Sequence, residues 1–184
     1  RYITQAGGPD SKLIGTSAEV LKMAMAAATS PGLVLEFGVR YGSSIRLIAA
    51  EAKQPVHGFD TFLGLPEDWH DEEAGTYTTY GELPETPDNV SLHQGLFEDT
   101  LPEFLDREKE MIRFINVDCD LYSSTKTIFD HLRERITRGT VIVFDEYLGN
   151  PNWREDEFKA FQEAVKSNCW TYEYLAFSLF SKQA

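Results

Sequence analysis

Four acidic residues, set just beyond two stretches that read as buried strands, are the most chemically loaded feature of this 184-residue chain. Asp118 and Asp120, in Asn-Val-Asp-Cys-Asp-Leu-Tyr, follow one apolar segment, and Asp145-Glu146 follow the next. If those two strands are neighbours, three or four carboxylates meet at one rim of a sheet. Like charges that close leave some groups protonated unless a cation intervenes. A hard, oxygen-liganded ion such as Mg²⁺ or Ca²⁺ suits the set, the alternative being solvated strand-end caps.

A second constellation lies earlier. In Val34-Leu-Glu-Phe-Gly-Val-Arg-Tyr-Gly-Ser-Ser44, glycines at 38 and 42 sit between a strand and a helix that starts at Ser43. Backbone can approach a ligand there, and the helix start offers free N–H groups. Position 40 is Arg, so this is not the dinucleotide GxGxxG pattern. Glu36, two residues before Gly38, suits a sulfonium or an amine better than a pyrophosphate. Alone, the motif also fits a plain tight turn. Asp60 closes the next strand, 22 residues after Gly38. An acid at that place can accept both hydroxyls of a ribose, or simply cap the turn. Together the two features point to an adenosine-containing ligand.

These residues need elements to position them. Helix-like and strand-like stretches alternate, which predicts an α/β fold around a mostly parallel sheet. The expected helices are Ser17 to Ala28 (N-cap Thr16 or Ser17), Ser43 to Lys53, Glu98 to Asp106, Ser123 to Thr137 and Asp156 to Ser167. The expected strands are Leu33 to Phe37, Pro55 to Phe59, Val90 to His93, Met111 to Val117 and Gly139 to Phe144, with Trp170 to Phe180 as a final extended segment. Thr61 to Asn89, rich in Pro, Gly and Glu, is long for a connection and is expected to be partly irregular. In a doubly wound sheet ligands bind beyond the carboxyl ends of the strands. That rule selects the loops at 36–43, 60–70, 94–98, 118–123 and 145–150.

Composition bounds the function. The chain is one domain long over 1–184, with ordinary globular hydrophobic and charged fractions of 42% and 26%. Between Gln54 and Asp106 there are 13 Asp and Glu and no Lys or Arg, so the net charge of −13 comes from that stretch. Such a surface repels phosphate backbones and anionic membranes, which excludes nucleic acid as a partner class. Met23 to Ala28, the longest apolar run near the start, is far short of the roughly 20 residues of a membrane span. No basic-then-apolar signal opens the chain, although a start at Arg1 leaves room for an upstream segment. Cys119 and Cys169 are read as reduced packing residues of a cytoplasmic protein. Among the histidines, His57 and His131 are read as structural, and His70, beside Trp69, as within reach of a substrate.

Glu36-Phe-Gly-Val-Arg-Tyr-Gly-Ser-Ser, Gly58-Phe-Asp-Thr-Phe-Leu-Gly-Leu-Pro-Glu-Asp-Trp69, Gly95-Leu-Phe-Glu-Asp-Thr-Leu-Pro102, Asp118-Cys-Asp-Leu-Tyr-Ser-Ser-Thr125, Phe144-Asp-Glu-Tyr147 and Trp153-Arg-Glu-Asp-Glu-Phe-Lys-Ala-Phe161 together resemble the macrocin O-methyltransferase (TylF-like) family. The resemblance runs in order from about residue 32 to 175. It implies a Rossmann-like class I methyltransferase sheet with helices on both faces, closed by a β-hairpin. It also implies S-adenosylmethionine (SAM) as cofactor, Mg²⁺ or another divalent cation, and a small hydroxylated acceptor such as a sugar.

On this resemblance Glu36 and Gly38 line the methionine end of SAM, Asp60 takes the ribose, and Gln94, Gly95, Leu96 and Phe97 flank the adenine. Gly42, Ser43, Thr61 and Asp118 complete the cofactor set. Asp118, Asp145 and Glu146 hold the metal, with Asp118 also placed as catalytic base. The chain departs from the family in a short N-terminal part, in Glu146 where members usually have Asp, and in stopping at Ala184. The final hairpin is therefore expected to be truncated, leaving Trp170 to Phe180 with an open edge that drives homodimerisation or a disordered tail. Two other readings compete: a SAM binder without turnover, and Asp118-Cys-Asp120 as the DxD motif of a nucleotide-sugar glycosyltransferase. The glycine turn with Asp60 favours an adenosine ribose over the latter.

Overall fold

The computed structural model describes residues 11–184, so the part of the expected 1–184 unit before Ser11 lies outside the described residues. In chain order the elements are β1 (Lys12–Leu13), α1 (Ser17–Ala27), β2 (Leu33–Phe37), α2 (Ser43–Ala52), β3 (Val56–Asp60), β4 (Val90–Gln94), α3 (Phe97–Arg107), β5 (Ile112–Val117), α4 (Tyr122–Leu132), β6 (Ile136–Phe144), α5 (Glu157–Asn168) and β7 (Ala176–Phe177). Thr16 caps α1 through a capping box with Glu19.

Five strands form one parallel sheet in the order β4-β3-β2-β5-β6. β2, at its centre, is buried at every position, as a strand covered on both faces requires. On one face Val20, Leu21 and Met25 of α1 and Ile45 and Ile48 of α2 pack with Val34, Val56, Phe114 and Val143. On the other, Leu101 and Phe104 of α3, Ile128 and Phe129 of α4 and Phe161 of α5 pack with Leu35, Phe37, Phe59 and Val117. The Rossmann-like sheet with helices on both faces is thus the observed architecture.

The chain builds outward from β2 in one direction and from β5 in the other, so the strand order reverses between them. The backbones diverge there only after a very close approach. Gly38 has φ +88°, and a β-carbon on it would overlap the Asp118 carbonyl oxygen. Thus glycine at 38 serves the seam between β2 and β5 first, and any ligand second.

Two expectations are corrected. The helix expected over Ser123 to Thr137 stops at Leu132, and Ile136 already belongs to β6. Arg135 closes a turn onto Leu132 and accepts from the Ile112 N–H at 2.9 Å, so β5 captures the chain before the helical periodicity runs out. The Thr140 hydroxyl then donates to the Ile112 carbonyl at 2.7 Å, bridging the irregular register beside Gly139.

The final segment also differs. Only Ala176–Phe177 of Trp170 to Phe180 is strand, and it pairs in parallel with Lys12–Leu13, outside the main sheet. The last residues then turn back. The Ser178 N–H donates to the Gln183 carbonyl at 2.9 Å, and Phe144 and Ala184 exchange backbone bonds at 2.9 and 3.2 Å. The tail is therefore held along the edge of β6, where an open strand or a disordered end was expected.

Gly38→Ala must displace the Asp118 backbone as well as strain its own φ. We expect it to cost about 3 kcal/mol or more. Urea denaturation checks this, and a midpoint within error of the parent removes the seam argument.

Candidate functional site

All five strand-end loops selected from the sequence contribute to one cavity of about 590 Å³ at the carboxyl edge of the sheet. Its rim is stitched from strand to strand. Gly38 N–H donates to the Phe59 carbonyl at 2.9 Å, Gly95 to Asp60 at 3.0 Å, Asp118 to Phe37 at 2.8 Å, and Asp145 to Val117 at 3.0 Å. Each residue that leaves a strand is therefore fixed by the neighbouring strand's last carbonyl groups.

Of the residues expected in a site, Gly38, Asp60, Thr61, Leu96, Phe97, Asp118, Asp145 and Glu146 line this cavity. Glu36, Gly42, Ser43, Gln94 and Gly95 do not. Gly42 instead faces Pro84 and Arg46, and the side chains of Ser43 and Gln94 are exposed. Sequence reasoning missed Arg40, whose guanidinium lies over the rings of Tyr41 and Tyr77 at 5.0 and 4.9 Å. It also left out Glu67 and Trp69 as lining residues. Their signal was the Gly64-Leu-Pro run, which turns the loop after β3 back over the cavity.

Asp60 is more constrained than a free ribose acceptor. Its Oδ2 accepts from the Val39 and Arg40 N–H groups, each at 2.7 Å, and its Oδ1 accepts from Phe62 N–H at 2.7 Å. The carboxylate braces the glycine turn from the neighbouring strand. Three of its roughly four acceptor positions are taken, which leaves room for one further donor.

Beneath the turn, Glu36 is fully buried and accepts from Asn116 Nδ2 at 2.8 Å. Burial pushes its carboxyl up to about 8, against the opposing pull of hydrogen bonds from Ser44 and Asn116. Glu36 Oε2 and Asn116 Oδ1 have no partner in the protein.

β5 and β6 are neighbours, so Asp118, Asp120, Asp145 and Glu146 do converge on one rim. Burial is the largest cause raising Asp118, followed by Asp145 and Glu36, and burial likewise raises Asp145. Asp120 is pushed up to about 7 by burial and then by Glu146 and Asp145. Glu157, at the start of α5, is buried below them and raised by burial and by Asp120. Hard oxygen donors gathered in this way have the chemistry for a divalent cation. Yet among the described residues no three His, Cys, Asp or Glu side chains are already arranged to hold one. Both Glu146 oxygens lie 3.1 Å from Lys182 Nζ, and Asp145 Oδ1 accepts from Gln183 Nε2 at 2.5 Å.

His70 does not project into the cavity. Asn152 Nδ2 can only donate, so the contact at 3.1 Å makes His70 Nδ1 an acceptor, and Nε2–H then donates to Asp156 at 2.9 Å. With the Ser123–Glu67 hydrogen bond, this clasp pins the loop after β3 over the site. His57 and His93 face each other at 3.2 Å against Phe104, in packing roles.

Comparison with known proteins follows the same outline. Residues 35–147 match a family model described as a methyltransferase domain. A curated relative from Streptomyces olivaceus, 8-demethyl-8-(2,3-dimethoxy-alpha-L-rhamnosyl)-tetracenomycin-C 4'-O-methyltransferase, is 30% identical over 145 residues, 64% of this chain. The chain spans about half (53%) of that relative's length. Among solved structures, the calicheamicin methyltransferase CalS11 superposes with TM-score 0.66 at 24% identity, covering 82% of this chain and 70% of that one. An O-methyltransferase from Bacillus cereus in complex with SAH gives 0.57 at 19%, covering 86% and 72%. At those identities the likeness is one of fold.

A carboxyl protonated in the fold but ionised in the unfolded chain stabilises most at low pH. For Glu36 that contribution is complete below about 4.5 and is lost as pH rises towards about 8. We therefore expect Glu36→Gln, which cannot ionise, to flatten the fall in Tm between pH 5 and 8.5. Calorimetry across that range decides, and parallel slopes for both proteins count against a protonated Glu36.

Proposed function

This chain belongs to the methyltransferase-domain family, and we propose that it moves the methyl group of SAM to a hydroxyl of a small molecule, a sugar of a natural product being the acceptor class. The observation that supports this most is the coincidence of the family match over residues 35–147 with the cavity fed by all five strand-end loops. The acceptor class is suggested by the tetracenomycin relative, which is named for a 4'-O-methylation. The motifs at Glu36, Asp60, Asp118 and Phe144 favour the macrocin-type branch of the family. Family membership also leaves the DxD glycosyltransferase reading without support.

In this reading Gly38 and the turn it opens receive the methionine end of SAM, with Glu36 and Asn116 buried beneath the turn. Asp60 has one acceptor position left for a ribose hydroxyl. Thr61, Leu96 and Phe97 form the wall on which the adenosine rests, with Gly95 and Gln94 behind it. Asp118 is the base. Burial and the neighbouring acids raise its pKa, and positive charge brought to the rim would counter that rise. Asp118, Asp145 and Glu146 would hold Mg²⁺, which supplies Lewis-acid polarisation of an acceptor oxygen when bound. The loop clasped by His70 and Glu67 excludes water above the acceptor.

A single domain over 1–184 acting in the cytoplasm, with no nucleic-acid or membrane partner, completes the proposal. No helix among the described residues is long and apolar enough to cross a membrane.

Asp60→Ala should weaken SAM binding by about tenfold to a hundredfold, as loss of a charge-assisted hydrogen bond does. Because Asp60 also braces the turn, calorimetric titration is paired with a melting curve. Unchanged SAM affinity takes Asp60 out of the site.

Transfer of labelled methyl from SAM to a panel of sugar-bearing and catechol acceptors tests the reaction. Asp118→Ala should be slower by about 10²–10⁴. EDTA should abolish activity that Mg²⁺ restores. Full activity in EDTA removes the metal, and no transfer to any acceptor despite tight SAM binding favours a binder without turnover.

A further inference from the structure

The acidic rim already has a cation, and the chain itself supplies it. Lys182 Nζ lies 3.1 Å from each Glu146 oxygen, a two-pronged contact on a carboxylate that is 18% exposed. The ammonium is brought there by backbone. The Leu148 N–H donates to the Lys182 carbonyl at 3.2 Å, and the neighbouring Ala184–Phe144 pair fixes the register of the return. Gln183, 2% exposed, adds its amide to Asp145. Arg40 is the one basic residue that lines the cavity, and its guanidinium is stacked on Tyr41 and Tyr77. Among the described residues, Lys182 is the one basic side chain in ion-pair contact with these four carboxylates, through Glu146.

We propose that Lys182 is the resident counter-cation of the Asp118–Asp145–Glu146 rim, and that a divalent cation binds only by displacing its ammonium from Glu146. This rests on the metal-assisted reading above and adds its regulation. Cation and lysine are alternative occupants, so the affinity for the ion is set by the difference between two states of one carboxylate. The site can then be filled and emptied at modest concentrations. It also explains why the rim stands ready without a preformed ligand shell: Glu146 is turned to Lys182, and Asp145 is shared with Gln183.

The probe is Mn²⁺, followed by the EPR signal of the free ion during titration of the full chain, with no turnover required. A unit charge removed about 6 Å from a divalent ion in a water-exposed setting changes affinity by roughly tenfold. Lys182→Met, and Lys182→Gln as a second neutral variant, should therefore bind Mn²⁺ about tenfold more tightly than the parent. Lys182→Arg, which keeps the charge, should bind no more tightly than the parent. Asp145→Asn in each background should abolish the signal change, which places the ion at this rim. SAM affinity and Tm are measured alongside to confirm that each variant is folded. Equal Mn²⁺ affinity for the parent and both neutral variants overturns the competition and leaves the metal-assisted reading standing. No Mn²⁺ binding by folded, SAM-binding variants overturns both.

Discussion

The contact between Gly38 and the Asp118 carbonyl oxygen is the constraint on which the rest of the molecule depends. It lies where β2 and β5, central neighbours in the sheet, send the chain in opposite directions. Here the two exits close to a distance that excludes a β-carbon. The glycine turn and the acidic rim begin at those same exits, so one steric fact places both parts of the site side by side. Asp60 then reaches across from β3 and ties the turn down with two backbone hydrogen bonds, a third coming from Phe62 in its own loop.

Burial, more than the number of charges, sets the electrostatics. The base-free stretch from Gln54 to Asp106 accounts for the chain's whole excess of negative charge, yet its acids are largely solvated. The rim residues Asp118, Asp120, Asp145 and Glu146 come from outside that stretch. The raised pKa values of Asp118, Asp120 and Asp145 arise first from desolvation and only then from the neighbouring acids. A carboxyl in that state is a poor base and a poor ligand until a cation restores its charge. A lysine, an ammonium group on a ligand and a divalent ion all satisfy the same demand.

Local pattern was enough to locate most elements and the loops that build the cavity. β2 was legible to the residue because a fully buried parallel strand is a nearly continuous apolar run, broken here only by Glu36. Helix starts after glycine turns were legible because the turn residues are chemically unusual. The end of α4 was not, since the sequence from Tyr122 to Thr137 keeps helical spacing and only pairing of Arg135 with β5 ends it. The final segment failed for a similar reason. Its aromatic, β-prone residues suit a strand, but Ala176–Phe177 finds its partner some 160 residues away, at Lys12–Leu13. At the site, the types of Asp60 and Glu146 were readable but their partners were not. Asp60 spends its oxygens on Val39, Arg40 and Phe62, and Glu146 on Lys182. Such pairings depend on where the chain returns, which no local spacing encodes.

The cavity's charge also restricts what it can hold. Seven carboxylates, from Asp60, Glu67, Glu98, Asp118, Asp120, Asp145 and Glu146, line it together with a single guanidinium. A group that brings positive charge lowers the cost of keeping them together, whereas a phosphate or a second carboxylate raises it. The aromatic faces of Trp69 and Tyr77, on the loop clasped over the cavity by His70 and Glu67, offer the apolar contact that an uncharged ring needs. The same loop supplies Glu67 to the wall and withholds every lysine and arginine. Its composition, conspicuous in the sequence as an absence of bases, is therefore part of the site's selectivity: it keeps the walls acidic, and Lys182, on the tail that returns along β6, brings its ammonium to Glu146.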